Sequence, residues 1–426
     1  MFTSFSTALS ALNATSTAID VVGNNLANLN TTGYKESVVS FHDLVSQSLG
    51  AGLGETQVGF GTARPLTTRQ FTQGALPASS GLLDAGIQGD GFFVVRDPAT
   101  NATLYTRAGD FQIDKDGNLL SGTGQRVEGW TMANGVMNTN GAVTDIQIPV
   151  GQLRQPIQTT TFSLSANLNA SAVSGVQSGD TKDNFSTPIQ VIDSLGNPLV
   201  LTATFTKDPT TPLQWTYQIS VPGEATSAGV AGTPTELLAP PGVLTFDATG
   251  KLVTPVAGPI PVTVAGLTDN AKDLNIDFNL FGTDGTATIT QFSQPSTTSA
   301  NSQDGVPAAQ LIRVGLGDGG QVLAEYSNGT QQVVAQLAVA AIRNPGSLIA
   351  IGENNYEASA DTAQAAVGVA NTGGRGQIMG GSLESSTVDI AKEFTNLIVL
   401  QRAYQANGKV ITASDQISQD TINLIR

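Results

Sequence analysis

The sequence contains no cysteine. Neither a disulfide framework nor a thiolate metal site is open to it, so stability must come from apolar cores or from assembly. It has one histidine, His42 in "SFHDLVSQ", which leaves a single candidate for any chemistry that needs an imidazole base. Charge is scarce too: charged residues are 12% of 426, about half the usual share. What charge there is leans acidic, with 19 Lys and Arg against 34 Asp and Glu and a net charge of −15. Binding a phosphate backbone takes clustered basic residues, so no nucleic-acid partner is expected. An anionic membrane would repel the chain, and no run of about 18 apolar residues offers a spanning helix, so no membrane insertion is expected either. The opening "MFTSFSTALSALNATSTAIDVVGNN" lacks the basic start and apolar stretch of a secretory signal. If the chain leaves the cell, it is expected to do so without a cleaved signal peptide.

What is present is apolar, small and uncharged. At 40% hydrophobic, the chain has material for two to four domains, and 47 Gly accompany abundant Ser, Thr, Asn and Ala. Phe2, Phe5, Leu9, Leu12, Ile19, Val22, Leu26 and Leu29 step by threes and fours, with Ser16 in the one empty turn. This spacing predicts a helix with a heptad-like seam. Ile390, Phe394, Leu397, Tyr404, Ile411, Ile417 and Leu424 predict a second, and Ser386 with Asp389 reads as its capping-box start. Asp20 is the only charge before Lys35. A helix that stands alone in water usually displays Lys and Glu, whereas small uncharged side chains let other backbones approach closely. The two terminal helices are therefore expected to pair as a coiled-coil-like unit and to pack among copies of the chain.

Between them the pattern becomes β. "LDAGIQGDGFFVVRD", "LYTRAGDFQIDKDGNLL", "TPIQVIDSLGNPLVLTATFTK" and "GVLTFDATGKLV" are β-branched or aromatic runs broken by Gly-Asp, Asp-Gly, Gly-Asn and Thr-Gly turns. Residues 79 to 355 are thus expected to be mostly antiparallel sheet, with Val221 to Gly242 an exposed loop. "GLGDGG", Gly315 to Gly320, fits the spacing of a dinucleotide loop, but an alternating run follows it where that motif requires a helix, so it reads as a hairpin turn. "DKDGN", Asp114 to Asn118, lacks EF-hand spacing and reads as a turn between Phe111–Ile113 and Leu119–Leu120. His42 reads as a helix-surface or interface residue. No catalytic, cofactor-binding or metal-ligating residue is assigned, and no cofactor is expected.

Two stretches carry a family resemblance. "GNNLANLNTTGYK" (Gly23 to Lys35), with Asn24, Asn25, Leu26, Ala27, Asn28, Gly33, Tyr34 and Lys35, resembles the N-terminal signature of the bacterial flagellar rod and hook axial proteins. "GSLESSTVDIAKEFTNLIVLQRAYQANGKVI" (Gly381 to Ile411) is similar to their C-terminal signature through Leu383, Glu384, Val388, Asp389, Gln401, Arg402, Tyr404 and Asn407. Where family members commonly show Ser-Asn-Val-Asp, this chain has Ser386-Thr387-Val388-Asp389. "LDAGIQGDGFFVV" with "YTRAGDFQIDKDGNLL" resembles the family's inner β domain, and "IQVIDSLGNPLVLTATFTK" the start of a domain that hook-type members insert into it.

The resemblance implies an α+β multidomain chain with nested antiparallel β domains. Residues 1–33 and 383–426 would form the helical polymerisation domain, 34–78 and 356–382 a connecting segment, 79–161 and 301–355 the inner β domain, and 162–300 an inserted outer barrel or sandwich. The implied function is that of a hook-type subunit, polymerising outside the cell into a curved tube that transmits torque from rod to filament. Implied partners are copies of itself, the distal rod, cap and hook-filament junction proteins, and the flagellar type III export apparatus. The alternatives are a distal rod subunit of a stiff, straight tube and a secreted β-rich binding module. For the amides Asn24, Asn25, Asn28 and Asn30 a satisfied hydrogen-bond network at the helix end is expected, because a buried, unpartnered amide costs about 1–3 kcal/mol. Gly33 is expected to let the chain leave the helix.

Overall fold

The computed structural model describes residues 2–44, 46–49, 56–133, 136–172, 184–256, 258–282 and 284–424. Two helices bracket the chain, α1 (Phe2–Ala27) and α2 (Ile390–Leu424), and the described residues between them are almost entirely strand, turn and loop. By backbone contacts the chain forms two compact units. One holds Met1–Val150, Ile312–Glu325 and Thr330–Arg426; the other holds Gly151–Leu311 with Tyr326–Gly329.

In the first unit the main sheet interleaves strands from both halves of the chain. Arg126–Ala133 lies between Phe92–Arg96 and Gln331–Leu337, and Phe92–Arg96 also pairs with Thr103–Thr106 and Val339–Ala341. Thr103–Thr106 in turn pairs with Asn355–Glu357. Val94, Tyr105, Trp130 and Ala340 are buried together with Phe92 and Tyr356, onto which the Phe71 ring packs edge-on at 5.5 and 5.3 Å. A separate ribbon pairs Ala85–Gln88 with Gln377–Gly380, and another pairs Ser37–Ser40 with Leu66–Arg69. These two ribbons bring the segments that follow α1 and precede α2 onto the same body.

The second unit is built from two sheets. Thr161–Asn169 runs through the first, and Asn184–Ile192, Pro198–Lys207 and Gln214–Val221 form successive strands of the second. Strict alternation along Thr161–Asn169 and Gln214–Val221 points every second side chain inward, as a strand's period of two requires. Phe162, Leu164, Leu168, Phe205, Trp215, Ile219 and Phe278 form one continuous core. Most ladders are antiparallel, as the turn-rich sequence predicts. Two are not: Thr161–Asn169 pairs in parallel with Leu274–Asn279 and with Ile289–Phe292. These partners arrive after long excursions through other strands, and parallel pairing needs such a crossover where a tight turn would give antiparallel neighbours.

Both motif turns fold as hairpins. Asp318–Gly320 links Ala309–Leu316 to Gln321–Tyr326, and Gln112–Ile113 pairs with Leu119–Leu120. Asp114 caps the second turn, its Oδ1 accepting the backbone N–H groups of Asp116 and Asn118 at 2.9 and 2.8 Å. His42 is exposed but is not on a helix; its carbonyl accepts the Ala63 N–H in a short antiparallel contact between two loop arms. Val221 to Gly242 is mostly exposed, as expected, although it also holds a turn at Gly223–Ala225 and a short strand, Thr235–Glu236.

Candidate functional site

The helices pack along one another. At about 1.5 Å per residue, 26 and 35 residues give α1 and α2 lengths of roughly 39 and 52 Å. The face that α1 buries is built from small residues: Ala8, Ala14, Thr15 and Ala18, ending in Val22 and Asn25. Such side chains let two backbones come close. The Thr15 hydroxyl is satisfied within α1, donating to the Ala11 carbonyl at 2.7 Å.

The large apolar residues of the sequence seam lie largely elsewhere. Phe5, Leu9, Ile390, Phe394, Tyr404 and Ile417 are exposed, with Phe394 at 50% and Tyr404 at 45%. Leu12, Ile19, Leu26, Leu29, Leu397 and Ile411 are half-buried, and Val22 is buried. The side chains of Phe2 and Leu424 lie outside what the structure describes. Ile398, Val399, Val410 and Ile422, which the seam did not include, are exposed as well. Large apolar side chains left exposed in this number along two helices mark places that other surfaces cover.

Below the helices the two family signatures meet. α1 ends at Ala27, where the Asn28 N–H reaches the carbonyls of Asn24 and Asn25 at 3.2 and 3.1 Å. The Asn25 amide, 1% exposed, makes a two-way bond with Ser37: its Nδ2 donates to the Ser37 carbonyl at 2.9 Å and its Oδ1 accepts the Ser37 N–H at 3.0 Å. The Tyr34 hydroxyl donates to the same Oδ1 and accepts from Asn24, and Asn28 donates back to the Asn24 carbonyl. Asn30 is exposed.

Gly33 serves another purpose than the one expected. It has a positive φ of 68°, but it lies beyond the helix end, where its N–H donates to the Glu384 carbonyl at 2.7 Å. A Cβ there would sit 2.7 Å from the Arg107 backbone. Close approach of two chains, rather than helix termination, requires glycine here.

Glu384 is the centre of this clasp. Its Oε1 accepts the Lys35 Nζ at 2.6 Å and the Gly74 N–H at 2.8 Å, and its Oε2 accepts from Arg107 at 3.2 Å. All three charged side chains are buried. Lys35 also donates to the Thr72 carbonyl at 2.6 Å, while Arg107 donates to the Gly89 carbonyl and lies over the Phe92 ring. Burial pulls the Lys35 ammonium below its usual range and Glu384 opposes that shift. One negative and two positive charges, each held by further backbone bonds, tie both helix roots to the β sheet.

The start of α2 corrects the capping expectation. Asp389 is the cap, its Oδ1 accepting the N–H groups of Ala391 and Lys392 at 2.8 and 3.1 Å. Ser386 instead accepts the Val388 N–H outside the helix. Thr387, at the position where the signature commonly has Asn, accepts the Glu36 N–H and donates its own N–H to the Tyr34 carbonyl. Val388 is buried and Leu383 half-buried, whereas Gln401 and Arg402 are exposed and Asn407 half-buried on α2.

Sequence reasoning assigned no role to Arg107, to Glu393 or to Gln73, whose amide donates to Glu384 Oε1 at 3.2 Å. A usable signal existed for part of the clasp: Lys35 is the first basic residue of the chain, and Glu384 is the only charge between Arg375 and Asp389. Isolated charges in an uncharged stretch point at each other. Among the described residues no group of three or more metal-ligating side chains converges.

Comparisons with known proteins agree along the chain. Residues 5–35 match the model of the flagella basal body rod protein, 86–167 that of the flagellar hook protein FlgE/F/G D1 domain, 163–306 that of the flagellar basal body protein FlaE D2 domain, and 379–424 that of the flagellar basal body rod FlgEFG protein C-terminal region. The chain is 34% identical to the flagellar hook protein FlgE of Treponema pallidum, covering 100% of both. It is 31% identical to that of Escherichia coli, covering 99% of each. In fold it resembles the crystal structure of Helicobacter pylori FlgE2, with a TM-score of 0.52 at 16% identity over 72% of this chain and 100% of the other.

Proposed function

We infer how this chain works from one premise: it belongs to the flagellar hook protein family and is a structural subunit of the bacterial flagellar hook. The proposal is that it polymerises outside the cell into a curved, flexible tube, a universal joint carrying torque from rod to filament. The observation that carries this reading is the uncovered apolar surface of α1 and α2, with Phe5, Leu9, Phe394, Val399 and Tyr404 all exposed in a single chain. Neighbouring copies would cover it. At about 25 cal/mol per Å² of apolar area removed from water, helices of this length can hold a polymer together.

The β units would then meet through polar surface. Among the described residues no ion pair lies within 162–300, so contacts between outer units would rest on uncharged polar side chains and could shift at little cost. The domain division proposed is helical (1–33, 383–426), connecting (34–78, 356–382), inner β (79–161, 301–355) and outer β (162–300). Rod, cap and junction proteins are the proposed neighbours at the ends of the tube, and the type III export apparatus is the proposed route out.

Electron microscopy of the purified protein under polymerising conditions tests the reading. Curved tubes support it, straight rigid tubes favour a rod subunit, and the absence of any polymer contradicts both.

A further inference from the structure

A groove of about 240 Å³ lies between α1, α2 and the strand Ser37–Ser40. Its walls are largely apolar, formed by Val21, Val22, Val39, Phe41 and Val399, and Glu393, Lys392, Ser37 and Asn396 also line it. Glu393 is 4% exposed, and its Oε2 is buried without a hydrogen-bond partner. The Asn25 side chain lies beside the carboxylate, and its charged surroundings are Glu36, Asp389 and Lys392. Lys392 is committed elsewhere, 3.1 Å from Glu36.

An apolar channel ending in an unpaired carboxylate fits one kind of occupant: an aliphatic stem with a cationic head. Arg402 and Lys409 supply two such side chains. Both are exposed on α2, neither makes an ion pair among the described residues, and they lie seven residues apart on one side of the helix. The exposed Val399 and Val410 flank them on α2, part of the surface that assembly has to cover. Their own chain cannot use them here. Arg402 lies nine residues beyond Glu393, about two and a half helical turns, and so faces the opposite side of α2.

We propose that this groove receives a basic side chain, Arg402 or Lys409, from α2 of a second copy of the chain, whose charge pairs with Glu393. The inference rests on the polymer reading above and assigns it a specific contact. In the polymer, every subunit both presents the cation and receives one.

Because the chain lacks cysteine, the contact can be trapped cleanly. Val39→Cys protein is mixed with Arg402→Cys protein, and separately with Lys409→Cys protein, then copolymerised and oxidised, with Val253→Cys as the unrelated exposed site. The proposal expects a covalent dimer from Val39→Cys with one of the two α2 cysteines, in polymer only, and none with Val253→Cys. It also expects Glu393→Gln to raise the critical concentration at least about tenfold, with unchanged monomer circular dichroism. Tubes that form with neither crosslink, or Glu393→Gln protein assembling like wild type, would overturn the contact while leaving the polymer reading intact. Wild-type protein that forms no polymer removes the premise and the contact with it.

Discussion

Lys35 and Glu384 are 349 residues apart in sequence and 2.6 Å apart in space, with no part of either side chain exposed. The pair joins the root of α1 to the root of α2, and Arg107 joins both to the inner sheet. A buried pair of this kind gains little over an apolar one, but breaking it strands a charge. Replacing Glu384 by Gln is therefore expected to cost about 3–5 kcal/mol, because Lys35 and Arg107 would remain buried without their anion. Denaturant unfolding of the monomer checks this. A loss under about 1 kcal/mol would show that the clasp holds nothing in place.

Gly33→Ala tests the close approach beside that clasp. The φ of 68° is unfavourable for alanine, and its Cβ would press on the Arg107 backbone at 2.7 Å. The expected cost is more than about 1 kcal/mol, seen as a lower melting temperature. An unchanged melting temperature would mean that the two chains can separate at no cost.

Burial raises the pKa of Glu393, and Glu36 and Asp389 add to the shift. A carboxyl with a folded pKa above its unfolded one makes the ionised folded state less stable. That cost is full above the folded pKa and disappears as pH falls through it toward the unfolded value. The helix pair of the monomer should thus lose stability as pH rises from the ordinary glutamate range through the raised Glu393 pKa, and Glu393→Gln should remove this part of the dependence. Thermal melts followed by far-UV circular dichroism at several pH values measure the difference between the two proteins. Parallel profiles would contradict the sign.

The unit Gly151–Leu311 has its own core around Trp215, which is 1% exposed. Expressed alone it should unfold in a single cooperative transition, with the Trp215 fluorescence as the probe. A gradual, non-cooperative transition would show that the unit depends on the rest of the chain.

Much of this arrangement was legible in the residues. Periodicity gave both terminal helices, and Gly- and Asp-containing turns gave the hairpins at Asp114–Asn118 and Gly315–Gly320, because these are local properties of a few neighbouring side chains. The amides Asn24, Asn25 and Asn28 were recognisable as a network since an uncharged polar cluster beside a seam needs partners. The clasp was not legible as a geometry. Lys35, Arg107 and Glu384 come from three distant segments, and only the fold sets which isolated charges meet. The pairing face of α1 was hidden for a different reason: spacing of large residues identifies an apolar stripe but not which neighbour covers it. Here Ala8, Ala14 and Ala18 are buried, and Phe5 and Leu9 remain exposed. The parallel ladders of Thr161–Asn169 escaped because strand direction depends on long connections, not on local pattern.

The central claim is that the uncovered faces of α1 and α2 build the tube. Quantitative sedimentation of wild-type, Leu9→Asp and Phe394→Asp proteins under polymerising conditions tests it, with Trp130 and Trp215 fluorescence confirming that both β units stay folded. A charge placed in a covered apolar contact costs several kcal/mol, so the account predicts tubes from the wild type and only soluble subunits from either variant. Tubes of normal yield from Leu9→Asp and Phe394→Asp would contradict it.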